Sequence, residues 1–523
     1  MRILDKKRYR LRIVIPAFPT FNIYSSVAKR TTALGPISVA SVVKEIPGWD
    51  VEVIDENNLR LYGPKDPEKG ADHEFLQAER PADVVGFYGG LTSTIPRLYQ
   101  LASFYKKKGV TTIAGGQHFV GKNIKEALNS DIDLVVRGES EVTIKELLTS
   151  LVRQERLDQI KGIAYKDKDK IIKTKEREPI EDFESLPNPD FSLVRYAKIK
   201  MYPVSRIRGC GMDCEFCTVK GRPRYASSKK LLDTIENLLE TKDARHFFIV
   251  DDLFGQQRNE TIHFCKMLAD YQQRVNKRLD FTVQIRLDKA KDTELLFAMR
   301  EAGINTVAIG FESPIKEELE AMKKHIKPQD MIELSRIYRK FGFLIHGMFI
   351  FGYPQKGNTK INLSIKERIK RFRIFIKKAK IDTIQILLPV PLPGTELRNR
   401  LEKEGRVYSI EDIGWQYYDG NFPLFEPDDP LTAQDLQSSI HKIMGKFYKF
   451  KYVFMLGYHI FSFPALVFFL HNIRKGWKIW YRSWRNALVR FGGWAVLRGW
   501  TKSFRAGSFS DQLKKAQKHI QHD

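Results

Sequence analysis

The sequence predicts an α/β chain in three parts: an open, doubly wound parallel sheet, a partial barrel of six strand–helix units, and a mainly helical region that is basic and aromatic. Three observations carry this reading. Short apolar runs alternate with amphipathic helical patterns through residues 1–155 and again from about 204 to 395, the pattern of parallel βαβ architecture. A length of 523 residues with 42% hydrophobic content fits about three domains of roughly 100–200 residues. It excludes a disordered chain, a collagen-like chain and a polytopic membrane protein. Of the four cysteines, three fall within eight residues, which rules out a disulfide framework and marks a metal site in a reducing compartment.

The first domain, residues 1–155, has strands predicted at 12–15, 51–55, 83–87, 111–114 and 133–136, separated by helical patterns at 37–46, 97–108 and 122–128. Residues 11–18 are interrupted by Arg12 and Pro16 and read as the first strand rather than a signal peptide, which implies a cytoplasmic chain. Ligands of such sheets bind outside the carboxyl ends of the strands. Those ends are glycine-rich: Gly89-Gly90, Gly115-Gly116-Gln117-His118 and Gly138-Glu139. Residues 156–200 are charged and punctuated by proline and read as a hairpin and linker. In the second domain, 201–420, strands are predicted at 204–208, 246–251, 281–287, 306–311, 344–351 and 383–389, with chemistry expected on the loops after them.

The cysteines form Cys210-x3-Cys214-x2-Cys217 on the loop after the first of these strands. Three thiolates on one tight loop hold three irons of a cubane cluster and leave the fourth iron without a protein ligand. An open metal position is what catalytic sites keep. A zinc knob completed by a distant histidine is the bland alternative, but structural zinc favours paired C-x2-C spacings. Cys265 lies on an amphipathic helical stretch and reads as a core thiol.

With Phe216 in the aromatic slot before the last cysteine, this loop resembles that of the radical S-adenosylmethionine (SAM) enzymes. The resemblance continues in order along the barrel, through Asp251-Asp252, Gln284 and Arg286, and Gly310-Phe-Glu312-Ser313. It implies that these residues, with Phe216, meet the methionine and ribose of SAM. It also implies a 4Fe-4S cluster on Cys210, Cys214 and Cys217 that cleaves SAM reductively to a 5′-deoxyadenosyl radical. An open α/β domain directly before such a barrel is similar to the cobalamin-binding class of this family. By that resemblance Gly35, Ser38, Gly89, Gly90, Ser93, Gly115, Gly116, His118, Gly138 and Glu139 are the expected cobalamin contacts. No D-x-H-x-x-G occurs in the chain, so the motif that supplies a histidine to cobalt in other cobalamin proteins is missing.

The third region, 421–523, carries the charge bias. Eighty-eight Lys+Arg against 63 Asp+Glu give a net charge of +25. Between Asp435 and Asp511 there are 13 basic residues, no acidic one, and five of the seven tryptophans. Tryptophan with Lys and Arg marks a membrane–water interface. The uncharged run 452–473 is long enough for one bilayer span at about 20 residues per crossing, and its His, Ser and Pro content also fits a monotopic element or a buried helix pair. So much Phe, Leu and Val argues against a nucleic-acid surface.

Together these features and the resemblance imply a cytoplasmic enzyme, peripheral at the membrane. It is expected to transfer a methyl group to an unactivated carbon of a hydrophobic, lipid or isoprenoid substrate, with electrons from a reductase, flavodoxin or ferredoxin. A radical SAM oxidative cyclase acting on a tetrapyrrole is the alternative within the family. A non-catalytic binder of metal or nucleic acid is the alternative outside it.

Overall fold

The computed structural model describes residues 8–520, apart from 60–62, 67, 69, 358–360, 462–472 and 506–508. The first sheet runs β7-β6-β5-β4-β3-β1-β2-β8. Its strands are β1 (Tyr9–Ile15), β2 (Trp49–Asp55), β3 (Val84–Tyr88), β4 (Thr111–Gly115), β5 (Leu134–Val136), β6 (Ile163–Asp167), β7 (Lys170–Lys173) and β8 (Val194–Arg195). The five expected strands are all present and parallel. Residues 156–200 do more than link. Their hairpin adds β6 and β7 antiparallel to β5, and β8 pairs with β2, so the sheet is mixed at one edge. Strand order reverses at β1, because the chain passes to β2 on one side and to β3 on the other. That reversal opens a crevice at the β1 and β3 carboxyl ends.

Arg12, which interrupts the apolar run of β1, is fully buried, and its guanidinium pairs with Glu52 at 2.7 Å and donates to the Tyr105 hydroxyl at 3.0 Å. It also donates to the carbonyls of Leu76 and Arg80 at 2.8 and 2.6 Å. A buried charge persists only when its donors are satisfied in this way.

The second sheet, β16-β15-β14-β13-β12-β9, is parallel throughout. Its strands are β9 (Tyr202–Val204), β12 (His246–Phe254), β13 (Asp280–Ile285), β14 (Ile304–Glu312), β15 (Leu344–Ile350) and β16 (Thr383–Leu387). A small antiparallel ribbon of β10 (Ile207–Arg208) and β11 (Arg224–Tyr225) brackets the cysteine loop. Buried Val, Ile and Phe alternate with inward-facing residues along β13 and β15, the period-two pattern of an enclosed barrel wall.

After the barrel, the Ala433–Phe447 helix buries Leu436, Ile440, Ile443 and Met444 in the main core. The Tyr452–Phe461 and Ile473–Arg505 helices pack on each other. Arg490 of the latter donates to the Ile381 carbonyl at 3.0 Å and the Tyr452 hydroxyl at 3.0 Å, tying the pair to the barrel. The Phe509–Ile520 helix returns to the core through Phe509, Leu513 and Ala516. Among the described residues no helix is long and apolar enough to cross a membrane, and 462–472 of the uncharged run lie outside them.

Candidate active site

The cysteine loop is held at both ends by backbone geometry. Gly209 has φ 89°, and a Cβ there would lie 2.5 Å from the Arg222 carbonyl oxygen, so no larger residue fits. Its N–H donates to Asp252 at 2.6 Å, the Gln256 amide donates to the Cys210 carbonyl at 2.6 Å, and the Gly211 N–H donates to the Gly221 carbonyl at 3.0 Å. Under the loop, Glu215 is fully buried and receives three donors. Arg400 contacts both of its carboxylate oxygens, at 2.8 and 3.1 Å, and the Tyr353 hydroxyl donates at 2.7 Å. Phe216 packs edge-on against the same tyrosine.

Cys210, Cys214 and Cys217 are free, partly exposed and close enough to feel one another's charge. Burial pushes the Cys210 and Cys217 thiols up, while N–H groups of Met212 and Val219 pull the other way. No three His, Cys, Asp or Glu side chains among the described residues converge to hold a single metal ion. Cys265, as expected, is a buried core thiol.

The residues expected at SAM divide into two groups. Asp252, Gln284, Arg286 and Glu312 lie at or near the mouth formed by the β12–β14 ends. Glu312 has φ 59° and pairs with Lys324 at 2.8 Å. Gly310 leaves room beside it, since a Cβ there would lie 2.3 Å from Glu312 Oε1 in its present position. Lys324 also bears electrostatically on Cys210 and Cys214. Arg286 donates to the Met212 sulfur of the cysteine loop and to Asp288. Asp251 and Ser313 are not brought to the mouth. Asp251 is buried, accepting from the Ser205 hydroxyl and the Arg206 and Ile207 N–H groups at 2.9, 2.6 and 2.8 Å. Ser313 is buried, donating to Glu318 and accepting the Ile315 N–H at 3.1 Å. Both brace turns.

Where the two sheets face each other lies a cavity of about 450 Å³. Gly35, Ser38, Gly115, Gly116, Gly138 and Glu139 line it. The glycines leave the strand ends bare, and Gly86 within β3 lets the cavity run down to Leu11 and Ile13 of β1. Such a bare, deep, partly apolar crevice at the strand reversal has the build and the place of a ligand site. Glu139 is fixed by Arg224 at 2.8 and 2.9 Å and by the Ile180 N–H. Burial raises its carboxyl, but Arg224 and this N–H prevail and hold it below the usual range.

Gly89, Gly90, Ser93 and His118 do not line this cavity. A Cβ on Gly89 would meet the Phe119 ring at 2.3 Å, and Gly90 and Ser93 open onto a second, smaller cavity. His118 is buried edge-on to Trp415 with centroids 4.7 Å apart, 3.2 Å from the Asn123 amide nitrogen. Burial, then Arg398, brings its imidazole down to about 3. It is a packed, neutral core histidine. Sequence reasoning passed over Glu215, Lys324 and Gln117, whose amide oxygen accepts from Thr218, the residue after Cys217, at 2.9 Å. Gln117 also lines the large cavity, so this one bond joins the crevice to the cysteine loop.

Residues 204–361 match the profile of the Radical SAM superfamily. The uncharacterized methyltransferase PH0819 of Pyrococcus horikoshii is 28% identical over 460 residues, covering 84% of this chain and 93% of that one. The hopanoid C-2 methylase of Rhodopseudomonas palustris is 27% identical over 257 residues, covering 48% of this chain and 46% of that one. The solved structure of the cobalamin-dependent S-adenosylmethionine radical enzyme OxsB, with aqua-cobalamin and S-adenosylmethionine bound, aligns with TM-score 0.63. That alignment covers 99% of this chain and 84% of OxsB at 15% identity. By the profile match the barrel region is a Radical SAM domain. The alignment with OxsB spans both the sheet domain and the barrel, so the two chains share that fold.

Proposed function

We propose that this enzyme transfers a methyl group to an unactivated carbon of a hydrophobic substrate. The observation that carries the reading is the wall shared by the glycine-lined crevice and the cysteine loop, across which Gln117 and Thr218 hydrogen-bond. The methyltransferase PH0819 and the hopanoid C-2 methylase, relatives by sequence, support it. When bound, the cluster and SAM supply a hydrogen-abstracting radical, and cobalamin supplies a methyl group. The chain's residues bind and orient. The three cysteines hold the cluster with one iron open, and Glu312, Gln284, Arg286 and Asp252 take the amino acid and ribose of SAM. The Gly115-Gly116 and Gly138-Glu139 turns support the corrinoid. A reductase, flavodoxin or ferredoxin supplies the electrons.

After anaerobic reconstitution and gel filtration, about one corrinoid and about four irons per chain are expected. Gly116 has φ 125°, and a Cβ there would lie 2.5 Å from the Gly89 carbonyl carbon. Gly116→Val is therefore expected to lose the corrinoid while keeping the iron. Iron without corrinoid in the wild-type protein would remove methyl transfer from first place.

The hydrophobic substrate and a peripheral membrane location rest on a further feature. Phe454, Tyr458 and Phe461 of the Tyr452–Phe461 helix, spaced by four and three residues, are exposed, Phe461 by 85%. A helix puts residues at this spacing on one face. Lys449 and Lys451 flank the stripe, inside the stretch without acidic residues. Such a face seats in the head-group region of an anionic bilayer. Sedimentation with phosphatidylglycerol vesicles is expected for the wild type, and Phe454→Ser with Phe461→Ser should weaken it by about tenfold or more. Unchanged sedimentation of that variant would refute this location.

A further inference from the structure

The Ile365–Lys378 helix lies on the outer wall of the barrel, where Phe372 and Phe375 pack against Phe311, Phe349 and Phe351. Its inward Arg368 is neutralised by the buried Glu318. What the helix turns outward is almost all cation. Lys366, Lys370, Arg371, Arg373, Lys377 and Lys378 are exposed, as is Lys380 in the turn that follows, and the single acidic residue among them is Glu367. Lys366, Lys370, Arg373 and Lys377 fall at i, i+4, i+7 and i+11, one row along the outer face. Ile374, 43% exposed, sits among them. Glu367 comes no closer than 3.7 Å to Lys370 and 3.6 Å to Arg371, and Lys366, Arg373, Lys377, Lys378 and Lys380 have no ion-pair partner among the described residues. The adjoining Pro328–Lys340 helix adds exposed Arg336 and Lys340 near its end, Arg336 donating to the Lys378 carbonyl at 3.4 Å. Like charges one turn apart repel each other. The helix dipole favours Lys377 and Lys378 at the C-terminus but disfavours Lys366 at the opposite end, so helix stability does not account for the row.

We propose that this cationic face binds the phosphate layer of an anionic bilayer. What adjoins the face selects the occupant. Ile381 and Asp382, directly after Lys380, offer their carbonyls to Arg490 at 3.0 and 3.3 Å, and the same guanidinium donates at 3.0 Å to the hydroxyl of Tyr452, first residue of the helix that carries Phe454, Tyr458 and Phe461. One side chain thus joins the end of the cationic face to the start of the aromatic one. At a bilayer surface aromatic rings seat at head-group level while cations meet the phosphates, so a membrane satisfies both faces. A nucleic acid or an acidic protein matches the charge and leaves the aromatic stripe in water. The inference rests on the membrane location proposed above and deepens it: the barrel wall itself, and not the C-terminal region alone, rests on the bilayer, and the lipid recognised is anionic.

The test is sedimentation of the full-length, reconstituted enzyme with vesicles of phosphatidylcholine, alone and mixed with phosphatidylglycerol. Lys370→Glu/Arg373→Glu/Lys377→Glu should weaken binding to the mixed vesicles by about a hundredfold or more and leave binding to phosphatidylcholine alone unchanged. Lys166→Glu/Lys170→Glu/Lys173→Glu makes the same change in net charge at exposed positions of the β6–β7 hairpin, and it should bind the mixed vesicles nearly as the wild type does. Wild-type iron content in both variants establishes that they fold. Wild-type binding by the helix variant, an equal loss in the hairpin variant, or no binding of the wild type to the mixed vesicles overturns the proposal. So does a helix variant that keeps its vesicle binding and loses only affinity for a duplex oligonucleotide, which assigns the face to nucleic acid. The aromatic stripe fails separately: Phe454→Ser with Phe461→Ser should weaken binding to both kinds of vesicle, and wild-type sedimentation of that variant refutes the stripe while the charge-reversal result stands.

Discussion

Cys214→Ala is expected to reduce 5′-deoxyadenosine formation from SAM to background under reducing, anaerobic conditions. The loop offers three thiols and no fourth, and the cubane already leaves one iron open for SAM. Loss of one of the three cysteines leaves a second iron held only by the cluster's own sulfides, and the cluster is lost or degraded. Glu215 directly follows Cys214 and its burial is independent of the thiol, so the loop backbone should survive and the defect should be chemical. Iron analysis and the charge-transfer absorbance of the cluster are the direct readouts. Cys265→Ala is the internal control. Its thiol is fully buried, burial raises it to about 12, and it lies on the Arg258–Arg274 helix away from the loop. Iron content and deoxyadenosine yield should match the wild type in that variant. Persistent deoxyadenosine in Cys214→Ala would sink the assignment of the loop as the cluster site.

The parallel strands were readable because burial on both faces writes itself as short β-branched runs between amphipathic helices. The edge strands were not. The two-residue β8 has too little sequence to carry a pattern, and the pairing of Leu134 with Tyr165 is a long-range contact that no local signal encodes. At the site, the cysteine spacing was decisive because the chemistry is local. Asp251 and Asp252 were indistinguishable in sequence, yet adjacent residues on a strand face opposite ways. The first thus holds the 205–207 turn, while the second reaches the cavity and the Gly209 N–H. His118 followed a glycine pair at a strand end and looked like a ligand-facing residue. Its partner Trp415 arrives from the far end of the barrel and encloses it, an outcome set by tertiary packing alone.

Glu215→Leu is expected to cost about 3–5 kcal/mol of local stability and with it the cluster, the second-largest effect after loss of a cysteine. The carboxylate is fully buried and balances Arg400, whose guanidinium also donates to the Gln355 carbonyl at 2.9 Å. Its removal takes the buried anion from two cations, Arg400, left with Glu404 at 3.3 Å, and Lys356 at 3.5 Å, and a largely buried cation stripped of its buried partner costs more than the pair itself contributes. The loop also loses its seat, because the Glu215 backbone accepts the Leu397 N–H at 3.1 Å and donates to the Met322 carbonyl at 3.2 Å, contacts that the carboxylate holds in register between the two flanking cysteines. Iron retained after gel filtration should fall well below that of the wild type. Glu215→Gln keeps an acceptor for the Tyr353 hydroxyl and should retain an intermediate amount. The double variant Glu215→Leu/Arg400→Met removes both charges and should recover iron relative to the single variant, since a buried pair replaced by apolar side chains of similar volume is often neutral. A double variant no better than Glu215→Leu would locate the defect in loop contacts rather than in the stranded charge. Full iron retention in Glu215→Leu would deny the clamp any role in holding the cluster loop.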